Sequence, residues 1–405
     1  MSGGYLEVLR TAGALRVFVP ALVGRLSFAM VTLVLLFAVQ RSTDSFAIAG
    51  AAIGAFGLAN VIASPYRARF VDRRGQRFAL NSLATAFAAG LSGIAALTAQ
   101  SGPPAGVLIG LAAVVGLFPP PLGASMRVLW GSITMPGALR TKAYSVDAVC
   151  EELLFTTGPL IAAAIVGAAS PTIGLLATAL VAVVGTLGMT SSSLSRGRVA
   201  VAASPRKRSR PLRQKGFVPV LIALLGVGVV LGTVEVVAPA VADTHGSVGL
   251  AGILLASFAA GSAVGGLLYG LRSWRSSLVN RLIILGTVMT MLCALLTTIG
   301  SFAVLGFGLA AVGFFLAPSL VTGYLLADDL TAAEVRTEAS SWINTAVNAG
   351  AAVAAAIVGF AVDAVEPRLG FIIGAGMALT LVVAASVPLL RNSRPAAVTD
   401  PVQSE

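Results

Sequence analysis

Twelve apolar stretches, each about as long as a membrane is thick, restrict this chain more than any other feature of its sequence. About 20 apolar residues in a helix cross the roughly 30 Å hydrocarbon core of a bilayer, where only helices and closed barrels satisfy their backbone hydrogen bonds. The stretches do not alternate with polar residues, so they predict helices rather than strands. The predicted spans are 17–40, 45–64, 78–100, 104–126, 143–168, 172–192, 217–242, 248–270, 278–299, 302–326, 341–363 and 369–390.

The composition supports an all-α membrane protein. Only 11% of the 405 residues are charged, against about 25% in soluble domains. Cys150 and Cys293 lie in apolar stretches and predict packing roles, with no disulfide or metal framework. His245, the single histidine, falls in a short polar loop. No GxxxxGK[ST] loop occurs, so the sequence does not indicate an ATP-driven pump, and we expect neither an enzyme nor a cofactor.

Basic residues occur in every second connection between the predicted spans, and this sets the expected orientation. Connections rich in Lys and Arg face the cytoplasm. With both termini in the cytoplasm, only Arg25, Arg41 and Arg368 of the 27 basic residues fall elsewhere. We therefore expect a multi-pass protein of the cell membrane whose basic inner face meets anionic lipid. That surface accounts for the net charge of +11 without a nucleic-acid partner.

The longest polar connection, 193–215, divides the chain into two halves of six predicted helices each. It is rich in Ser, Arg and Pro and cannot bury enough apolar surface to fold alone, so we expect a flexible cytoplasmic linker. The expected domains are an N-terminal bundle at 1–192, a C-terminal bundle at 216–392 and a cytoplasmic tail at 393–405.

Two sequence repeats indicate that the halves are copies of one scaffold. The string AAAIVG ends at Gly167 in the first half and again at Gly359 in the second. This repeat aligns Gly158 with Gly350 and Glu152 with Asn344. A second repeat aligns Gly50 with Gly252 and Phe56 with Phe258. The copies therefore match in backbone features and differ in charge.

A motif in the turn between the second and third predicted spans resembles a known family. Residues 68–77 read ARFVDRRGQR. The sequence is similar to G-x-x-x-D-R-x-G-R-R of the major facilitator superfamily, matched by Asp72, Arg73, Gly75 and Arg77. It departs from that pattern at the first glycine and at the first residue of the closing basic pair. The resemblance implies two pseudo-symmetric six-helix bundles, alternating access to a substrate site between them, and a monomer.

The same residues suggest a gate on the cytoplasmic side. Asp72 at a helix end can accept hydrogen bonds from the exposed N–H groups at the start of a neighbouring helix. Gly75 permits the tight turn, while Arg73 and Arg77 can pair with carboxylates on the other half. We expect such contacts to break when the protein changes state. For Arg67, Arg69 and Arg74 we favour a role only as topological anchors at the membrane surface. Four acidic residues could meet the basic loops there or simply form a solvated face: Asp328, Asp329, Glu334 and Glu338.

Gly158 and Pro159 form a Gly-Pro pair within the fifth predicted span. Proline removes an intrahelical hydrogen bond and kinks a helix, while glycine lets a neighbouring helix approach closely. In the superfamily, a Gly-Pro pair on the fifth helix belongs to the motif G-x-x-x-G-P-x-x-G-G of exporters. Only the central pair matches here, so the resemblance favours efflux, and an ordinary proline kink is the alternative.

Charged residues within the predicted spans are the sharpest functional signal, because each is costly in hydrocarbon unless it is paired or hydrated. Arg25 lies at the same depth as Glu151 and Glu152, so we predict that it pairs with one of them. Asp147 and Glu151 share a helix face and repel each other unless a basic residue such as Arg127 compensates. For Asp147 we favour a role at the helix start, and with Arg127 we count it among the gating residues.

Glu235 stands alone in the seventh predicted span. A carboxylate in apolar surroundings holds a proton more tightly, so Glu235 is the first candidate for carrying a proton or binding a cationic substrate. Its alternative is a glutamate facing the extracellular mouth. Asn344 and Asn348 are one helical turn apart and either line a cavity or join helices by hydrogen bonds.

The sequence therefore predicts a secondary transporter of the major facilitator type that exports a small amphipathic compound in exchange for protons. The proton carriers would be Glu235, Glu151 or Glu152, with Arg25 as their charge partner. Two alternatives remain open: a facilitator of a metabolite or sugar, and a membrane scaffold or sensor that transports nothing.

Overall fold

The computed structural model describes residues 5–44, 46–99, 104–196, 210–243, 248–364 and 368–392. Its first half contains α1 Tyr5–Arg10, α2 Ala14–Thr43, α3 Phe46–Arg74, α4 Gln76–Thr98, α5 Ala105–Gly116, α6 Leu122–Ile133, α7 Ala138–Ala168, α8 Pro171–Ser191 and α9 Ser193–Arg196. Its second half contains α10 Phe217–Asp243, α11 Val248–Leu271, α12 Leu278–Leu295, α13 Phe302–Gly313, α14 Leu316–Leu330, α15 Arg336–Ala364 and α16 Leu369–Asn392. Three 3₁₀ turns accompany them at Pro211–Arg213, Leu296–Thr298 and Ala333–Val335. His245, residues 197–209 of the linker and the C-terminal tail lie outside the described residues.

Each predicted span coincides with one helix or with a broken pair of helices, which confirms the all-α membrane fold. Ten helical segments of the described residues are long and apolar enough to cross a membrane. The fourth span is divided into α5 and α6, because Pro119–Pro121 provide no backbone donors for a continuous helix. The tenth is divided into α13 and α14, with Phe314 and Phe315 at the break.

The same close contacts between helices occur in both halves, at the positions that are aligned by the sequence repeats. In the first half, the backbone of α7 at Gly158 lies against Ala29 of α2. In the second, α15 at Gly350 lies against Leu225 and Val229 of α10. Glycine leaves room for this approach in both places. The Gly-Pro pair of α7 therefore packs within the first half.

The second sequence repeat also marks a contact that occurs in both halves. Gly116, which ends α5, lies against the carbonyl oxygen of Phe56 in α3. Gly313, which ends α13, lies against the carbonyl oxygen of Phe258 in α11. The aligned phenylalanines thus mark equivalent contacts between the second and fourth spans of each half, as expected for a duplicated bundle.

The halves pack against each other mainly at one end, where α7 meets α11 and α3 meets α15. We call this the basic end; it carries residues 66–77, 136–142 and 328–338. One apolar core joins the second half to first-half residues near the basic end, such as Phe18, Val71 and Trp130. A separate core, including Leu35, Phe87 and Leu108, fills the opposite end of the first half.

Adding a methyl group at either aligned glycine should loosen the bundle. A Cβ at Gly158 or Gly350 would overlap atoms of the neighbouring helix, and we expect Gly158→Ala and Gly350→Ala each to destabilise the protein by about 1–3 kcal/mol. Gly167→Ala on the same helix as Gly158 is the matched control, because a Cβ there meets nothing within 4 Å. Thermal unfolding in detergent measures the effect, and equal stability of all three variants would contradict it.

Candidate functional site

A cavity of about 260 Å³ lies between the two halves. Helices α2, α3, α6 and α7 of the first half and α10, α14 and α15 of the second contribute its walls. All the residues that the sequence proposes for substrate or proton binding line this cavity: Arg25, Glu151, Glu152, Glu235, Asn344 and Asn348. The structure therefore brings together six residues that are spread over four helices of the chain.

Arg127 of α6 is the centre of a buried polar cluster beneath the cavity. Its side chain is 1% exposed. One terminal nitrogen, Nη1, lies 3.2 Å from Asp147 Oδ2 and 3.0 Å from Glu151 Oε2 of α7. The other, Nη2, donates to Asn344 Oδ1 at 3.3 Å. The guanidinium also stacks 3.8 Å from the ring centre of Tyr324, whose hydroxyl donates to the same Asn344 oxygen.

These contacts make Arg127 a bridge between the halves. It joins α6 and α7 of the first half to α14 and α15 of the second through charge, hydrogen bonds and a cation–π contact. The sequence placed Arg127 in a cytoplasmic segment, and this placement is wrong. After the proline break the chain resumes a helix at Leu122, so Arg127 lies one turn inside α6 and buried among other helices.

Arg25 pairs with Asp147, with 2.9 Å between Nη2 and Oδ1. The predicted pairing with Glu151 or Glu152 is therefore wrong: Asp147 lies one helical turn nearer the basic end, and Arg127 already binds Glu151. Arg25 also donates to the carbonyl oxygen of Gly123 at 3.3 Å.

The favoured role of Asp147 at the helix start is also wrong. Asp147 is fully buried more than two turns inside α7 and contacts both Arg25 and Arg127. The compensation expected for two carboxylates on one helix face does occur, because Arg127 contacts both Asp147 and Glu151 and Arg25 contacts Asp147 as well. The four formal charges sum to zero, which makes their burial tolerable.

Glu152 and Glu235 differ from these paired residues. Within the described parts of the chain, no basic nitrogen lies within 4.0 Å of either carboxylate. Glu235 of α10 is exposed to the cavity, and Glu152 of α7 is partly exposed. The two carboxylates come from opposite halves and line the same cavity.

Arg67 has a structural environment that the sequence did not predict. We expected it to serve, with Arg69 and Arg74, only as a topological anchor at the membrane surface. Instead its side chain is buried, with Nη2 2.7 Å from Asn60 Oδ1 and Nη1 3.2 Å from the carbonyl oxygen of Gly116. Gly116 is the last residue of α5, so Arg67 meets the negative end of that helix.

The predicted gate motif lies at the basic end and contacts the start of α15. Asp72 Oδ2 accepts a hydrogen bond of 3.1 Å from the backbone N–H of Glu338, as expected for a carboxylate at a helix start. Gly75, between α3 and α4, has φ of 81°, a conformation that glycine adopts without strain. The expected turn is therefore present.

The basic partner of this contact differs from the prediction. Arg69, which we had interpreted only as an anchor, pairs with Glu338 at 2.7 Å, and this hydrogen bond raises the pKa of Arg69 above its usual value. Arg73 and Arg77 are exposed, and in the described structure no carboxylate lies within 4.0 Å of either. Arg69 and Arg73 are one helical turn apart on the same face of α3, so position along the helix, and not the face, decides which of them reaches Glu338.

A second cluster joins the halves at the basic end. Asp328 of α14 accepts a hydrogen bond from the hydroxyl of Tyr144 in α7. Its carboxylate also lies 3.7 Å from Arg140 of the first half and 3.7 Å from Arg336 of its own half. Asp328 and Glu338, two of the four acidic residues noted in the sequence, therefore contact basic residues of the first half.

Comparisons with known proteins agree with this architecture. Residues 220–404 match the sequence model described as Major Facilitator Superfamily. A bacterial homologue of the iron transporter ferroportin, solved in an outward-facing state, has a similar fold with a TM-score of 0.68, 16% identity and coverage of 94% of this chain and 99% of that chain. The human organic anion transporter MFSD10 (TETRAN) has a TM-score of 0.68, 18% identity and coverage of 93% and 99%. A search of curated protein sequences found no match.

The observed pairing predicts which double variants are coupled. Asp147→Asn leaves two buried guanidinium groups short of a carboxylate, so we expect a loss of about 3–5 kcal/mol in unfolding free energy. Adding Arg25→Gln should recover part of that loss, whereas Arg25→Gln and Glu152→Gln should be additive. Unfolding in detergent measures all variants.

Asp44→Asn is the control for these variants. Asp44 is exposed and has φ of 50°, a left-handed conformation that asparagine also accepts. Its unfolding free energy should match that of the unmodified protein. Additivity of Arg25→Gln with Asp147→Asn, or coupling with Glu152→Gln, would contradict the observed pairing.

Proposed function

We propose that this chain is a secondary active transporter of the major facilitator superfamily that exports a small amphipathic compound in exchange for protons. The observation that carries this proposal is the cavity between the halves, lined by ionisable residues and apolar side chains alike. Superfamily transporters bind their substrates near the midplane between two bundles and alternate their access to it. The proposed setting is the cell membrane, as a monomer with both termini in the cytoplasm.

The contacts at the basic end support the proposal that this state is closed toward the cytoplasm. Asp72, Arg69 and Glu338 join α3 to α15, while Tyr144 and Asp328 join α7 to α14. The apolar core shared by both halves lies at the same end. Opening the cavity there requires these contacts to break, so we assign Asp72, Arg69, Glu338 and Asp328 to the inner gate.

We assign proton exchange to the carboxylates of the cavity. Glu235 and Glu152 have no basic partner in the described structure, so protonation removes a charge that nothing else neutralises. Glu151, Asp147, Arg25 and Arg127 instead form a neutral cluster that joins α2, α6 and α7. In that cluster, protonation of Glu151 would weaken its bond to Arg127 and thereby the link from Arg127 to the second half.

Transport in proteoliposomes tests the proposed function. Compounds that raise the melting temperature of the purified protein serve as test substrates, and their flux is followed with and without an imposed pH gradient. We expect the gradient to drive flux and the added compound to move protons in the opposite direction. Flux that ignores the gradient indicates a facilitator, and no flux indicates a scaffold; either result refutes the proposed exchange.

Glu235→Gln should abolish the response of flux to the pH gradient, because a glutamine cannot take up and release a proton. The matched control is Glu334→Gln, at an exposed glutamate of the basic end outside the cavity. Flux of both variants is measured across a pH series. If Glu235→Gln keeps the pH dependence of the unmodified protein, Glu235 has no part in coupling.

Neutralising the acidic residues of the gate should open the basic end. Glu338→Gln combined with Asp328→Asn removes the ion pairs with Arg69 and Arg140, so we expect a larger population with separated halves. Spin labels at the exposed positions Arg74 and Glu334, after replacement of both native cysteines by serine, report the distance between the halves.

Glu7→Gln, at an exposed site on α1, controls for loss of a negative charge in general. Its distance distribution should match that of the labelled parent protein. A distribution in the double variant that is unchanged from the parent would show that these ion pairs do not hold the gate.

A further inference from the structure

The charges of the cavity are not balanced. Arg25 and Glu151 face the cavity but are neutralised by Asp147 and Arg127. Glu152 and Glu235 add two carboxylates, one from each half, with no basic nitrogen within 4.0 Å in the described structure. Arg67 also lines the cavity and contacts only Asn60 and the carbonyl oxygen of Gly116, so the lining as a whole carries one net negative charge. In surroundings of low dielectric constant, two nearby carboxylates repel each other, so a cation bound between them is favoured.

The remaining walls suit an organic ligand. Phe28 and Phe155 line the cavity with ring centres 6.2 Å apart and rings nearly perpendicular. Leu154, Leu231 and Val347 add aliphatic surface. Apolar walls contribute binding energy by burying hydrocarbon, and aromatic faces attract cations.

We propose that the transported compound is an organic cation, and that its positively charged nitrogen lies between Glu152 and Glu235. This inference rests on the proposed transport function and specifies its substrate class. Each half contributes one carboxylate, so a bound cation touches both bundles. An anion of the same shape would be repelled by both carboxylates at that position.

Binding of two dyes of matched shape tests this assignment. Rhodamine 6G is a cation, and fluorescein ethyl ester shares its xanthene ring and ethyl ester but is an anion at neutral pH. Fluorescence anisotropy with the purified full-length protein in detergent, corrected for protein-free micelles, measures both affinities. We expect rhodamine 6G to bind at least tenfold more tightly than fluorescein ethyl ester.

Two single variants locate the site. Glu152→Gln and Glu235→Gln should each weaken binding of rhodamine 6G at least tenfold, and Glu334→Gln should leave it unchanged. The thermal unfolding midpoint of each variant shows that the fold is retained. Equal affinity for the two dyes, no binding of rhodamine 6G, or unaltered binding by both cavity variants would overturn the inference.

The outcome is distinguishable from failure of the proposed function. Binding is measured without a gradient, so cation selectivity with no pH-driven flux would refute proton exchange alone. Conversely, gradient-driven flux of another compound together with absent cation selectivity would refute the cation site alone.

Discussion

The structure depends on one buried guanidinium, that of Arg127, and on the groups that neutralise it. Removing a charge from water costs several kcal/mol unless counter-charges and hydrogen bonds replace the water. Asp147 and Glu151 supply the charge, while Asn344 and the ring of Tyr324 supply further contacts from the other half. These requirements fix how α6, α7, α14 and α15 meet beneath the cavity.

The division between paired and unpaired charges gives the cavity its chemistry. The neutral cluster of Arg25, Arg127, Asp147 and Glu151 occupies the first half and needs no ligand to balance it. Glu152 and Glu235 lie outside this cluster and outweigh the single charge of Arg67, so the lining carries one net negative charge. Two residues that are adjacent in sequence therefore differ in role: Glu151 helps to join helices, and Glu152 is available to bind a solute.

The proline break in the fourth span links the local sequence to this arrangement. Pro119–Pro121 end one helix and allow the next to start at a different angle, so that α6 carries Arg127 toward the centre. Arg67 meets the free carbonyl end that the break creates at Gly116. The three prolines indicate a break in the fourth span from the sequence alone, but the position of Arg127 within the bundle follows from the direction of the helix after the break.

The sequence by itself determined the helical membrane fold, the twelve spans and the duplication, because long apolar runs and repeated glycines act through local geometry and helix contact. It also pointed to six of the residues that line the cavity, since a charge in hydrocarbon is costly wherever it lies. Only the tertiary structure decided which charges pair, as with Arg25 and Asp147 or Arg69 and Glu338. Pairing depends on the rotation and tilt of packed helices. A shift of one turn, about 5.4 Å along the axis, exchanges one partner for another. A sequence does not specify the depth of a side chain in the membrane to within one helical turn.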